Sequence, residues 1–400
     1  MVVESHTPPQ VDLSSRGAEH GTVELPSPPR DRTTTDPEAL NAHIWLGYDP
    51  VFQLREWKTD TVHALPPADV AESIIGSEPS ASLRIVDPSG LVSRKHARVF
   101  RAGSWWKIED LHSKNGIRQD RKPAERFLLV PGEEIGIGGV TLVAENQALI
   151  QLRRYLARVL GWDEESRRVM GAAIQTIRLA ANQRRPLVIS GDDDLVAVAR
   201  QIHLRTTVPG APFVVCGERR ESDAAVHVTA IDADPVAAFE LAAGGTVCVR
   251  AEQLSVEFDR ILEAAHEPGV RDQTQLIVCA SKTPRWWKVS NPLVVPKLQQ
   301  RTDDDLQRIV AEYASDAIRE LGAAPGSFTE ADRDWVVRRE ASSFADIEVA
   351  TLRLVACNHA GNPHRAAARL GLSHVALGKW LKHRGLVKWL KRRVSRRSRR

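Results

Sequence analysis

Two short stretches concentrate the residue types that can hold a charged ligand. In LVSRKHARVF (Leu91 to Phe100), Ser93, Arg94, Lys95 and His96 place hydroxyl, guanidinium, ammonium and imidazole side by side, while Val92, Ala97 and Val99 fit a half-buried strand. In IEDLHSKNGI (Ile108 to Ile117), Ser113, Lys114, Asn115 and Gly116 form a tight-turn signal, because Asn tolerates positive φ and Gly adopts it freely. Two polar loops at the ends of short strands, offering Ser, Arg, Lys and Asn donors together, suit a tetrahedral dianion. Either loop alone reads as a basic surface turn. Their pairing is what points to a ligand.

In this order the two loops resemble the forkhead-associated (FHA) domain, a small β-sandwich that reads phosphothreonine peptides. The resemblance runs from about Thr61 to Glu145 and takes in Ile75-Gly76, the Trp105-Trp106 strand and PGEEIGIG (Pro131 to Gly138). It implies that Ser93, Arg94, Lys114 and Asn115 face the phosphopeptide. Gly76, His96 and Gly116 would be structural, with His96 bracing the loop from inside. The chain departs from the family at Ser77, where an arginine that is a principal phosphate ligand normally follows the glycine. One charge-assisted contact is worth about 1.5–3 kcal/mol, so this departure weakens the expected affinity. Arg84, Arg94, Lys95 and Lys114 are the cations available to compensate.

The elements that position these loops are short strands punctuated by Gly, Pro and Asn, with HIWLGY (His43 to Tyr48) and TVHAL (Thr61 to Leu65) as a strand-like lead-in. Residues from about 147 to 340 alternate differently. ALIQLRRYLARVL and SRRVMGAAIQTIRLAA have helical spacing, whereas PLVIS, PFVVC, TVCVR and QLIVC are continuous apolar runs suited to a mostly parallel sheet covered on both faces. These landmarks, with AAFELAAGGTVCV (Ala237 to Val249) and PKLQQRTDDDLQRIVAEYA, resemble the AAA+ ATPase domain of bacterial enhancer-binding activators. Its catalytic positions are altered. A phosphate-cradling loop needs glycines, a Lys and a hydroxyl for Mg²⁺, but Asp192, Asp193 and Asp194 follow Gly191, and the loop is about two residues too short. Arg250 and Ala251 replace the Walker B acids, the polar sensor position falls near Ser281-Lys282, and no GAFTGA-like sigma-factor loop lies between Cys216 and Ala237. The expectation is a pseudo-ATPase.

From Asp346 the chain reads as three helices, IEVATLRLVACNHA, PHRAAARLGL and SHVALGKWLKHRGL. Pro363 suits a first helical position, and Ser373 suits an N-cap. The simplest reading is an αα-hairpin. The pattern also resembles the Fis-type helix-turn-helix that ends the same activators. That resemblance implies that Ser373, His374, Val375 and Ala376 approach base edges and that Lys379, Lys382 and Arg384 meet phosphates. The tail Lys388 to Arg400 carries eight basic residues and no acid, so the net charge of +4 becomes about −4 once these are set aside. A basic patch confined to one end suits a polyanion.

Four hundred residues, 42% apolar and 26% charged, allow two to four domains with a sizeable core. There is no long apolar run and no signal-peptide core, which makes a soluble cytoplasmic protein the expectation. The four cysteines have no metal-ligand spacing. The reading is multidomain: a disordered leader (1–42), an FHA-like β-sandwich (43–147), a degenerate AAA+-like α/β domain (148–300), a helical lid remnant (301–345), an all-α helix-turn-helix (346–387) and a basic tail (388–400). The function expected is that of a DNA-binding bacterial transcriptional regulator with a phosphothreonine-peptide sensor. No catalytic residue, metal or cofactor is expected. Its partners would be double-stranded DNA, a phosphothreonine protein or its own leader around Thr33, and a second copy. The alternative is an adaptor or scaffold in a Ser/Thr-kinase pathway.

Overall fold

Apolar residues alternating along short strands close residues 53–145 into a two-sheet sandwich. In the computed structural model the described residues are 45–386, apart from 47–48, 68–69, 71, 184, 193, 218–229, 233, 251–260, 262–273 and 282–291. The leader around Thr33 and the basic tail lie outside them. The strands of one sheet are β1 (Gln53–Glu56), β2 (Val62–Ala64), β7 (Ile117–Gln119), β8 (Lys122–Ala124), β10 (Glu134–Ile137) and β11 (Val140–Glu145), in the order β2-β1-β11-β10-β7-β8. The other sheet comprises β3 (Glu72–Gly76), β4 (Leu83–Arg84), β5 (Ala97–Ala102), β6 (Trp105–Asp110) and β9 (Arg126–Leu128), ordered β4-β3-β5-β6-β9. Leu54, Ile75, Val99, Trp106, Ile108, Ile135 and Leu142 fill the space between them.

The lead-in differs from expectation. Trp45 and Leu46 form a turn rather than a strand, and both are buried in the core of the following helical region. Leu46 has φ +57° and its carbonyl accepts a hydrogen bond from Asn146 Nδ2 at 3.0 Å. Tertiary burial overrides the local strand pattern.

Asn146 also caps α1 (Gln147–Leu160), its Oδ1 accepting from Leu149 N–H, so β11 runs into the helix with no linker. Then come α2 (Glu164–Gln183) and a six-stranded parallel sheet ordered β14-β13-β15-β16-β12-β17. Its strands are β12 (Leu187–Gly191), β13 (Phe213–Cys216), β14 (Ala230–Asp232), β15 (Thr246–Arg250), β16 (Gln275–Ala280) and β17 (Leu293–Val295), with α3 (Leu195–Thr206) and α4 (Pro235–Leu241) between them. The four apolar runs became β12, β13, β15 and β16. The two edge strands escaped notice because each is only three residues long.

Five helices follow: α5 (Asp303–Glu320), α6 (Glu330–Arg339), α7 (Phe344–Ala360), α8 (Pro363–Arg369) and α9 (His374–His383). Thr302, Thr329, Ser343, Asn362 and Ser373 cap them by accepting backbone N–H bonds. The boundary drawn at residue 346 falls inside α7, whose cap is Ser343. Val336, Phe344, Ile347, Leu377 and Trp380 belong to the same apolar cluster as Ile189 and Ile277, so these helices share one core with the sheet.

The sandwich is held to this region by specific contacts. Trp57 lies against Gly171, where a Cβ would come within 1.7 Å of the indole, and Arg178 Nη2 pairs with Asp120 at 2.6 Å. Buried Glu145 accepts from Arg55 Nε at 2.7 Å and lies 3.2 Å from Arg153 Nε.

Candidate functional site

At the loop ends of β3, β5 and β6, His96 joins the two polar stretches. Its ring is fully buried. Nδ1 accepts from the Ser93 N–H at 3.0 Å, so the proton sits on Nε2, which lies 3.0 Å from both the Gly116 carbonyl and Ser113 Oγ. Ser113 gives its own hydroxyl proton to Asp110 at 2.6 Å and is therefore the acceptor for the imidazole N–H. One neutral tautomer thus ties residue 93 to residues 113 and 116.

Gly76 is required by close approach, since a Cβ there would lie 1.9 Å from the Arg94 carbonyl oxygen. Positive φ falls on Gly116 (+63°) and, unexpectedly, on His112 (+55°) rather than on Asn115. The Lys114 N–H donates to Ser93 Oγ at 3.2 Å, leaving the Ser93 proton free to point outward. Arg94 and Lys114 are exposed, as is Arg84 at the end of β4. None of the three side chains makes a hydrogen bond or ion pair among the described residues. Asn115 is different: its Nδ2 donates to the Leu91 carbonyl at 2.8 Å, so its donor holds the loop and only its oxygen remains free. Ser77, standing where the resemblance expects arginine, turns its hydroxyl to the Val92 carbonyl at 3.1 Å.

Asp87 is a residue the sequence reading missed. Its carboxylate accepts from the Ser89 N–H (3.0 Å), the Leu91 N–H (2.8 Å) and the Val92 N–H (3.0 Å), and it shapes the approach to Ser93. The Ser89 hydroxyl, then these backbone donors, hold the carboxyl below its usual range. The Asp-Pro-Ser-Gly turn signature was the available signal.

Two further regions carried sequence expectations. After β12, Gly191 passes so close to β17 that a Cβ would meet the Val295 carbonyl at 2.6 Å. Asp192 pairs with Lys297 Nζ at 2.7 Å, Asp194 begins α3, and Arg250 is buried at the end of β15. Asp193, Ala251 and Lys282 lie outside the described residues. In the helix pair, Ser373, His374, Val375, Ala376, Lys379 and Lys382 are exposed along α9. Gly371 takes φ +63° in the turn, and the rings of His364 and His374 stack at 4.6 Å. Arg384 departs from its expected role, because its Nε donates to Glu340 at 2.7 Å and its guanidinium lies over Trp380.

Residues 73–138 match the family model of the FHA domain, and the sandwich is an FHA domain followed by a region of helices and a parallel sheet. Similar solved structures include the FHA domain of CT664 from Chlamydia trachomatis, 26% identical, covering 23% of this chain and 94% of that one, TM-score 0.21. Mycobacterium tuberculosis EmbR in complex with a low-affinity phosphopeptide is 22% identical over 28% of each chain, TM-score 0.23. The FHA domain of FhaA in complex with the intracellular domain of Rv3910 is 24% identical, covering 23% of this chain and 98% of that one, TM-score 0.21. No curated protein matches the chain. Among the described residues no helix is long and apolar enough to cross a membrane, and no cluster of three or more His, Cys, Asp or Glu is placed to hold a metal ion.

Proposed function

We propose that this protein is a DNA-binding transcriptional regulator whose FHA domain reads phosphothreonine peptides and whose α/β region is a pseudo-ATPase. The observation that carries the sensor role is the pairing of the two loops. Lys114 N–H meets Ser93 Oγ at 3.2 Å, His96 braces both from beneath, and Arg84, Arg94 and Lys114 stand exposed with no protein partner. Unpartnered cations around an outward hydroxyl suit a phosphate dianion. Ser77 makes this a weakened site, used where the phosphopeptide is held nearby.

The pseudo-ATPase reading is supported by Asp192, which places a carboxylate paired with Lys297 in the loop where a triphosphate would sit. The DNA reading is supported by the exposed run Ser373 to Ala376, with Lys379 and Lys382 beyond it and the basic tail after it. Such a regulator acts by occupancy or recruitment, without ATP-driven remodelling.

The test is a pair of titrations on the full chain. A phosphothreonine peptide spanning residues 31–40 should bind while its unphosphorylated twin does not, with Arg94→Ala abolishing the difference. A gel shift with genomic DNA fragments should show a retarded complex. Equal, negligible binding of both peptides overturns the sensor role. Absence of a DNA complex at low salt leaves the adaptor reading.

A further inference from the structure

The flank of α3 turned away from the parallel sheet carries an unusual concentration of guanidinium groups. A cleft of about 420 Å³ opens there between α1, α3, α5, α7 and the α8–α9 turn. It adjoins a second of about 640 Å³ across Arg158, Arg205 and Arg319. Five arginines (Arg158, Arg200, Arg205, Arg319 and Arg353) face three carboxylates (Asp316, Glu320 and Glu348) around the first cleft. The volume falls in the range of small-molecule sites, about 300–1,000 Å³.

Some of these arginines are already engaged. Arg158 pairs with Asp316 at 2.6 Å and lies over the Tyr313 ring, Arg319 pairs with the other oxygen of Asp316 at the cleft's exposed rim, and Arg205 lies over Tyr155 while donating to the Gln201 carbonyl at 2.9 Å. Arg353 lies over Trp380 of α9. The Arg200 guanidinium is half-buried and makes no direct hydrogen bond or ion pair among the described residues, although Glu348 and Glu320 are near enough to act on it through their charge. Burial, first among the causes, pulls Arg200, Arg205 and Arg353 below the usual guanidinium range and pushes the Glu348 carboxyl up. Even counting Glu312, which also pairs with Arg158 at 3.3 Å, five guanidiniums outnumber four carboxylates here, and a cation in a poorly solvated cleft attracts an anion more strongly than one in water.

We propose that this cleft binds a small anion bearing a di- or triphosphate group. Guanidinium forks match phosphate oxygens two at a time, and several converging forks favour a multiply charged group over a lone carboxylate. Its ligand would touch α3 of the sheet region, α5, α7 and, through Leu370 and Leu372, the turn before α9. The site is separate from the loop after β12, since Ala197 is its nearest lining residue on α3.

The test uses the full chain, without magnesium and at constant ionic strength, with pyrophosphate and tripolyphosphate as probes and sulfate as the control. Thermal unfolding should shift upward saturably with either probe but not with sulfate. Calorimetry should show binding weakened about tenfold or more in Arg200→Ala and in Arg319→Ala, as expected for loss of one charge-assisted hydrogen bond. Arg319 is exposed and its pair with Asp316 lies at the surface, where such pairs contribute little to stability, so its removal is expected to leave the fold intact. Arg200→Gln replaces the alanine variant if that one does not fold. A nucleoside triphosphate that displaces tripolyphosphate more strongly than unlabelled tripolyphosphate does assigns the site to nucleotides, and equal displacement assigns it to the phosphate chain itself. No shift with either probe, or a shift retained in both arginine variants (as binding to the basic tail would give), overturns the proposal.

Discussion

Single residues decide whether the FHA loops form and whether they bind, and the two effects separate experimentally. Gly76→Ala puts a methyl 1.9 Å from the Arg94 carbonyl oxygen, a backbone atom that cannot rotate away. This substitution is expected to lower the melting temperature of the full chain, at the overpacking cost of about 1–3 kcal/mol, and to abolish phosphopeptide binding with it. A melting curve matching that of the parent chain would refute it. Arg94→Ala and Lys114→Ala remove exposed side chains with no protein partner, so the melting curve should not move while phosphopeptide affinity falls about tenfold for each. His96 was legible through the resemblance of its loop to FHA domains, which implies an imidazole bracing the loop from inside. Its bonds to the Gly116 carbonyl and the Ser113 hydroxyl were not legible, since they depend on contacts with the other loop, 20 and 17 residues away. Asn115 shows the opposite limit. Its amide was expected to face a ligand, but the carbonyl it holds belongs to Leu91, 24 positions away, and no local pattern announces such a pairing.

Secondary-structure elements were legible where length and pattern agreed. The apolar runs at Leu187, Phe213, Thr246 and Gln275 became strands because continuous apolar residues are stable only in a sheet covered on both faces. The turn at Trp45 escaped because burial against α1 and α2 decides it. Where the sandwich meets α2, Glu133 lies among Gln119, Asp120 and Arg178, and burial, the largest influence, raises its carboxyl from 4.5 to about 7. Between those values the folded chain keeps a proton that the unfolded chain has released, so this group costs stability as pH rises through the window. The full effect is roughly 3 kcal/mol by the usual conversion, an upper figure. His203 acts in the other direction. It takes a hydrogen bond from Thr246, donates to the Ala211 carbonyl, and is held by burial at about 4. The unfolded chain gains that proton first, so stability falls as pH drops below about 6.5. The two contributions oppose each other in the parent chain. Glu133→Gln should therefore unmask the histidine, giving a melting temperature that climbs between pH 5 and 8 more steeply than that of the parent. Parallel curves would show that Glu133 does not titrate in this range. The loop after β12 belongs to the same scale. With Asp192 paired to Lys297 there, the proposed pseudo-ATPase should release phosphate from Mg-ATP no faster than the protein-free background, and measurable turnover would end that reading.

At the scale of the whole molecule, the chain is acidic over most of its length and strongly basic at one end. The residues before Lys388 sum to about −4, and the last thirteen carry eight positive charges. Any polyanion is therefore drawn to the end that follows α9, and the question is what the helix adds to that attraction. Lys379 and Lys382 are exposed on α9, whereas Arg384 is committed to Glu340 and Trp380 and contributes packing instead. Ser373 to Ala376 are exposed at the start of the helix, where a recognition helix reads base edges. Removing residues 388–400 should weaken binding to every DNA sequence alike. It should also flatten the plot of log affinity against log salt, because each lost phosphate contact takes about 0.9 from the slope. His374→Ala should leave that slope unchanged and alter which fragments are preferred, since a base contact carries sequence information and little of the counterion term. Arg384→Ala should instead lower the melting temperature, leaving Glu340 without its partner. The measurement is a gel-shift series at several salt concentrations with the parent chain and these three variants. An unchanged slope after truncation would exclude the tail as an electrostatic clamp. A change in fragment preference with the tail variant and none with His374→Ala would move the reading of sequence away from α9.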